Sequence, residues 1–183
     1  MKLLAFAASL RDGSYNQKLI EVAVEVARKQ GAEVTLVPFS QVISPNYNED
    51  DKQEGFPESI KRLKTLFEEH DGFLLSSPEY NYSIPGNLKN SLDWISRYSP
   101  SPTGGKFGYL LSASPSMVGG NRGLWSTRIP LEVMGAILYP SMFSLAQAHE
   151  AFNDDGSLKD ADAQARLEGD LRKFLDLVSK QTS

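Results

Sequence analysis

The chain has 183 residues, 40% of them hydrophobic, and a net charge of −4 from 19 basic and 23 acidic residues. That length suits one domain with a substantial core, and that charge supplies neither the basic footprint of a nucleic-acid binder nor a polybasic membrane patch. The absence of cysteine excludes a catalytic thiolate, disulfides, thiolate zinc and iron–sulfur ligation, so any redox chemistry must belong to a bound cofactor.

Leu3 to Ala8 is a near-continuous apolar run bounded by turn residues, which predicts a strand covered on both faces. After Met-Lys it faintly resembles a secretory signal, but its six apolar residues fall short of the usual hydrophobic region of about 7–15. No stretch approaches the roughly 18 apolar residues of a membrane span, so a cytoplasmic protein is expected.

Ala8 to Asn16 follows, reading Ala-Ser-Leu-Arg-Asp-Gly-Ser-Tyr-Asn, and then a helical pattern from Asn16 to Gln30 carries Leu19, Ala23, Val26 and Ala27 in register, with Gly31 as its stop. Ser9, Arg11, Ser14 and Asn16 place two hydroxyls, a guanidinium and a carboxamide within eight residues, where a strand ends and a helix begins. Backbone N–H groups and the positive end of the helix dipole converge at such a point, so the stretch reads as a phosphate cradle. Taken alone it reads equally well as a capped turn, with Ser14 as cap and Arg11 in solvent.

Glu33 to Val37 is the second predicted strand, and Pro38 to Pro57 a long surface loop of the kind that often covers a site or an interface. Its acidic cluster Asn48-Glu49-Asp50-Asp51 does not fit a calcium loop. Counting from Asn46 puts Asp51 where glycine is required and Pro57 where glutamate is required, and no metal is expected. Glu58 to Glu69 is helical, with Ile60, Leu63 and Phe67 on one face, and Gly72 to Ser76 is the third strand. The loop Pro78-Glu79-Tyr80-Asn81-Tyr82-Ser83 leads into a helix from Ile84 to Arg97, with Ser83 as its cap and Pro85 in its first turn. Lys106 to Ser112 is the fourth strand. Ala113 to Gly120 then forms a loop, and a helix from Asn121 to Met134 contains Pro130, which should kink or interrupt it. Ala136 to Tyr139 is a short fifth strand that Phe143 to Ala146 extends, and Ala161 to Lys180 is the closing helix.

This alternation predicts an α/β fold: a flavodoxin-like three-layer sandwich across residues 1–183, with a five-stranded parallel sheet in order 2-1-3-4-5 and helices on both faces. In that order a crevice opens between the carboxyl ends of the first and third strands, flanked by Ala8–Asn16 and Pro78–Ser83, with Ala113–Gly120 at its border. Neither a dinucleotide fingerprint nor a triphosphate loop occurs. The crevice therefore suits a ligand with one phosphate and a flat apolar body, and FMN meets both requirements.

Ser9-x-Arg11-x-x-Ser14-x-Asn16, followed by Pro78-Glu79-Tyr80-Asn81-x-x-x-Pro85-Gly86-x-x-Lys89-Asn90-x-x-Asp93-Trp94, resembles the NADPH-dependent FMN reductase family, which includes soluble quinone, azo-dye and chromate reductases. The similarity spans roughly the first two thirds of the chain, and the second motif is long enough to be specific. The resemblance implies that Ser9, Arg11, Ser14 and Asn16 hold the FMN phosphate. It places the backbone of Pro78, Glu79, Tyr80, Asn81 and Tyr82 along the ribityl chain and ring edge, with Ser112 to Gly120, Ser114 included, on the other side of the ring. Two departures stand out: Ala8 occupies a position where the family often has glycine, and Ala113-Ser114-Pro115-Ser116 replaces a more glycine-rich loop.

The same resemblance implies NADPH or NADH as donor and ping-pong transfer of two electrons through the flavin to quinone-like or other small acceptors, with no catalytic side chain. It also implies a homodimer or homotetramer in which Lys89, Asp93, Trp94 and Arg97 meet a partner subunit. Glu79 reads as a solvated or backbone-holding carboxylate, Leu92 and Trp94 as packing residues, and His70 and His149 as structural or surface groups. The alternative is a flavodoxin-type electron carrier without a substrate of its own. The modest charge weakens it, because a carrier docks through a strongly charged surface.

Overall fold

In the computed structural model, which describes residues 1–182, the first apolar run is β1 (Lys2–Ala7), and it lies in the middle of a parallel sheet. β2 (Glu33–Leu36) pairs with one side of it, Leu3 opposite Val34, and β3 (Gly72–Ser76) with the other, Leu3 opposite Gly72. β4 (Phe107–Ala113) pairs with β3. Beyond it β5 (Ile137–Leu138) pairs with the start of β4 and β6 (Phe143–Leu145) with its end, so the expected fifth strand is two short strands on one edge. The order β2-β1-β3-β4-β5 is the one the sequence predicts.

Side chains alternate across a strand, and β1 divides its residues accordingly. Leu3, Ala5 and Ala7 join a core beneath α1 (Tyr15–Lys29) and α6 (Ala161–Thr182), built around Leu19, Ile20, Leu171 and Phe174. Leu4 and Phe6, with Ala8 just past the strand, join a second core beneath α3 (Glu58–Glu68), α4 (Gly86–Ile95) and α5 (Asn121–Val133). Tyr109 is buried in the first of these, and its hydroxyl donates to Asp170 Oδ2 at 3.3 Å. Burial, reinforced by that carboxylate, pushes the phenol far above its ordinary pKa and keeps it protonated.

Three local expectations change. The stretch from Pro38 to Pro57 carries a 3-10 turn (Phe39–Gln41) and a short helix, α2 (Glu49–Gln53). Asn48 Oδ1 caps α2 on Asp50 N, and three carboxylates fill the first turn where the helix dipole favours them, which accounts for the acidic cluster without a metal. Ser83 does not cap α4: its N–H and carbonyl close a tight turn with Tyr80, and Pro85 takes the N-cap position. Pro130 interrupts nothing, since α5 runs on for three more residues with Met134 N donating to Pro130 O.

The motif residues of α4 hold the long loop in place. Asn90 Nδ2 donates to the carbonyls of Ser44 and Pro45, its Oδ1 accepts from Tyr47 N, and Trp94 Nε1 donates to Pro45 O at 2.8 Å. Trp94 is thereby turned inward and only 1% exposed, so of the four residues expected to meet a partner, Lys89, Asp93 and Arg97 remain at the surface.

Candidate functional site

Three loops meet at the carboxyl ends of β1, β3 and β4 around an open cleft of about 230 Å³. The first is the β1–α1 connection. Gly13 turns the chain at φ +65°, Ser14 Oγ caps α1 by accepting Asn16 N at 3.2 Å, and Ser9 Oγ accepts Arg11 N at 3.4 Å. Among the described residues the backbone N–H groups of Leu10, Asp12, Gly13 and Tyr15 find no acceptor. Arg11 lies 5.2 Å from the centroid of the Tyr15 ring and donates no side-chain hydrogen bond. Four unpaired N–H groups, two hydroxyls and an uncommitted guanidinium at a helix N-terminus form a donor set that fits a phosphate monoester, which is all acceptor.

Asn16 lines the same cleft, and its side chain is committed to the protein. Its Nδ2 donates to Ala113 O at 2.9 Å, while its Oδ1 accepts Ala113 N and Ser76 Oγ, both at 3.0 Å. One buried carboxamide therefore ties the start of α1 to the ends of β3 and β4, and sets the separation of the loops that leave them.

The second loop contributes Pro78, Glu79 and Tyr80 to the wall. Tyr80 and Ser83 exchange backbone hydrogen bonds of 3.1 and 3.0 Å across Asn81 and Tyr82, whose φ values are +50° and +63°. Both values lie in the left-handed region that L residues seldom adopt, and this pair has the positive φ angles of a type I′ turn. Asn81 and Tyr82 thus sit at the rim and do not line the cleft.

The Glu79 carboxylate reaches from the cleft wall to α5. Its Oε2 accepts Gly123 N at 2.9 Å, and its Oε1 lies 3.8 Å from Arg122 Nη1, so it caps the N-terminus of α5, as its backbone-holding reading anticipates. Arg122 in turn lies 4.5 Å from the centroid of the Tyr82 ring.

Ala113, Ser114 and Pro115 of the third loop complete the cleft. Ser112 does not reach it: the residue is fully buried and its Oγ has no partner. Gly120, at φ +83°, packs over it so closely that a Cβ there would stand 2.0 Å from Ser112 Oγ. Ser9, Arg11, Ser14, Asn16, Pro78, Glu79, Tyr80 and Ser114 are thus brought together, while Asn81, Tyr82 and Ser112 lie at the rim or beneath the floor. Tyr15, the shelf for Arg11, joins these residues, and an aromatic directly after the cap residue is its one signal in the sequence. Arg122 and Gly123 have none, because their proximity to Glu79 is a long-range fact without a local pattern.

His70 and His149 lie elsewhere, as expected. His70 is buried between Leu66 O and Thr35 Oγ1, and the half-exposed His149 pairs with Glu150.

Comparison with known proteins bears on this arrangement. A family model described as NADPH-dependent FMN reductase matches residues 1–150. An NAD(P)H-dependent FMN reductase of Pseudomonas aeruginosa is 33% identical over 173 residues, covering 94% of this chain and 92% of its own. A quinone reductase of Escherichia coli is 30% identical over 183 residues, covering 98% and 96%. Among solved structures, the flavoenzyme NAD(P)H:(acceptor) oxidoreductase FerB of Paracoccus denitrificans superposes with a TM-score of 0.86 at 30% identity, covering 98% of this chain and 97% of its own. Oxidised flavodoxin 1 of Bacillus cereus, at 13% identity and a TM-score of 0.61, shares the fold.

Proposed function

The chain belongs to the NADPH-dependent FMN reductase family, and from that premise we propose that it passes two electrons from NADPH or NADH to quinones or similar small acceptors by a ping-pong route. It is an NAD(P)H-dependent oxidoreductase with FMN as its cofactor. When bound, FMN supplies the reversible two-electron chemistry that no side chain of this cysteine-free protein provides.

The single observation that carries the site assignment is the uncommitted donor set of the β1–α1 loop. Ser9, Arg11, Ser14 and the free N–H groups hold the phosphate, Asn16 maintains the spacing of the loops, and the backbone of Pro78 to Tyr80, with Ser114 opposite, borders the ring. Tyr80 and Tyr82, 53% and 67% exposed, present aromatic surface beside the open face, where a flat apolar acceptor stacks. Donor and acceptor use that face in turn, which makes the route ping-pong. No side-chain acid or base is assigned.

The protein acts in the cytoplasm as a homodimer or homotetramer. Among the described residues no helix is long and apolar enough to cross a membrane. Trp125, Ile129 and Val133 form an exposed stripe along α5, beside a groove of about 440 Å³ that α4 and α5 share, and a second copy covers it.

Purified protein is expected to be yellow and, with a quinone present, to oxidise NADPH with parallel double-reciprocal plots. Colourless protein that takes up no added FMN overturns the reading. Flavin that binds but is reduced by neither nucleotide makes the protein an electron carrier, and intersecting plots remove the ping-pong route.

A further inference from the structure

Arg122 is a second guanidinium beside the cleft, and the flavin assignment makes no use of it. Its side chain is 52% exposed, its charge centre rests 4.5 Å from the Tyr82 ring centroid, and it donates no hydrogen bond. Arg28, Arg62, Arg97, Arg128 and Arg166 all donate to backbone or side-chain oxygens. Arg172 also donates to no oxygen, but only Arg11 and Arg122 among the described residues combine unspent donors with a seat over a tyrosine, one at the cleft's β1–α1 loop and the other by the Tyr80–Ser83 turn. A guanidinium resting over an aromatic ring keeps its N–H groups open for an oxyanion, and a side chain ordered in advance loses less entropy on binding.

The Glu79 carboxylate attracts Arg122 without consuming it. At 3.8 Å the two are outside hydrogen-bond range, and Glu79 Oε2 is already committed to Gly123 N. Tyr82 is fixed in turn by the two hydrogen bonds that close its turn. The shelf is therefore built into the fold at a left-handed backbone conformation, of a kind often met at functional sites.

FMN carries a single phosphate, and the β1–α1 cradle accounts for it. The anion that suits Arg122 must then come from the second ligand. Quinone acceptors are neutral, whereas a nicotinamide dinucleotide carries a pyrophosphate and, in NADPH, a 2′-phosphate as well. Resting on the NAD(P)H-dependent reading above, we propose that Arg122, seated on the Tyr82 ring, binds a phosphate of the electron donor and so sets donor affinity.

The test compares the unsubstituted protein with Arg122→Gln, Arg122→Lys and Tyr82→Ala. Steady-state KM values for NADPH and NADH are measured alongside calorimetric Kd values for NADP+ and NAD+ on FMN-loaded protein. Losing a charge-assisted contact corresponds to about a tenfold or larger rise in donor KM and Kd for Arg122→Gln. Arg122→Lys, which keeps the charge without the planar fork, falls between, and Tyr82→Ala shifts the same constants by removing the shelf. A rise confined to the NADP(H) pair assigns the 2′-phosphate, and an equal rise with NAD(H) assigns the pyrophosphate; either upholds the proposal. Unchanged donor constants overturn it, as does a loss of FMN retention without a change in donor binding. Should the unsubstituted protein oxidise neither nucleotide, the reductase reading falls, while calorimetry still decides the role of Arg122.

Discussion

The Glu79 carboxylate accepts the backbone N–H of Gly123 at 2.9 Å, so a single side chain joins the loop after β3 to the first turn of α5. The approach is close: a Cβ at Gly123 would stand 3.0 Å from both Cα and Cβ of Glu79. Glu79→Ala removes a helix cap and should lower stability by about 1 kcal/mol. Glu79→Gln, which keeps an acceptor in place, should lose less. Urea unfolding midpoints separate the two, and equal losses would show that the cap is not what the carboxylate contributes.

Asn16 spends both ends of its carboxamide on the β3 and β4 termini. Asn16→Ala leaves the Ala113 N–H, the Ala113 carbonyl and the Ser76 hydroxyl short of a partner in a buried place. With about 1–3 kcal/mol for each unsatisfied group, partly relieved by water, a loss of roughly 2–4 kcal/mol is expected in thermal unfolding. Asn16→Asp keeps the two acceptor contacts but sets a carboxylate against the Ala113 carbonyl, and should not rescue the stability.

Much of this was legible in the chain because it is local. The apolar run of β1, the period of α1 and the Ser14 cap follow from residues near one another, and the sheet order from the alternation of strands and helices along the chain. The convergence of three loops follows from that order alone. What escaped depends on tertiary approach. Ser112 and Ser114 look alike in sequence, yet strand alternation and the packing of Gly120 bury one beneath the floor and leave the other in the wall. That the Asn16 carboxamide, beside its place in the cleft wall, ties Ala113 to Ser76 is visible only once those residues are placed, and the packing role of Trp94 takes its form from Pro45, which accepts its indole N–H.

Gly120 should tolerate no side chain. A methyl group there meets Ser112 Oγ at 2.0 Å and Ser112 Cβ at 3.0 Å, on a backbone held at φ +83°. Gly120→Ala is expected to destabilise by about 2 kcal/mol or more, combining overpacking with left-handed strain. Ser112→Ala alone removes a buried hydroxyl that has no partner and should be neutral or mildly stabilising. The double variant should recover part of the loss but keep the backbone strain. Full recovery in denaturant titrations would mean that φ at this position costs nothing.

The phosphate assignment separates FMN from riboflavin. At a concentration one hundred times its Kd, FMN should raise stability by about 2.7 kcal/mol, read as a higher Tm. Riboflavin keeps the ring and ribityl chain without the phosphate and should give a much smaller rise. Arg11→Ala should shrink the FMN shift and leave the riboflavin shift unchanged if Arg11, which lines the cleft at the β1–α1 loop, holds the phosphate as proposed. Equal shifts for the two flavins in the unsubstituted protein would remove the cradle's role.

Trp125, Ile129 and Val133 recur every fourth residue along α5 and are 57%, 66% and 83% exposed, so they form one apolar stripe on one side of the helix. Leu92, Pro130 and Met134 line the adjoining groove, and the Lys89–Asp93 ion pair at its edge offers charges of both signs to an identical surface. Burying each large side chain of the stripe is worth about 1.5–3 kcal/mol, enough for three of them and their counterparts to support self-association. The unsubstituted chain is therefore expected to sediment as a dimer or larger species. Ile129→Glu and Val133→Glu place a charge in the stripe at positions already open to water, and glutamate sustains a helix, so both should dissociate the assembly without unfolding α5. Sedimentation velocity across a hundredfold range of concentration reads the change, with far-UV circular dichroism reporting the helix. Monomeric sedimentation of the unsubstituted chain, or an assembly indifferent to both substitutions, would place self-association elsewhere or nowhere.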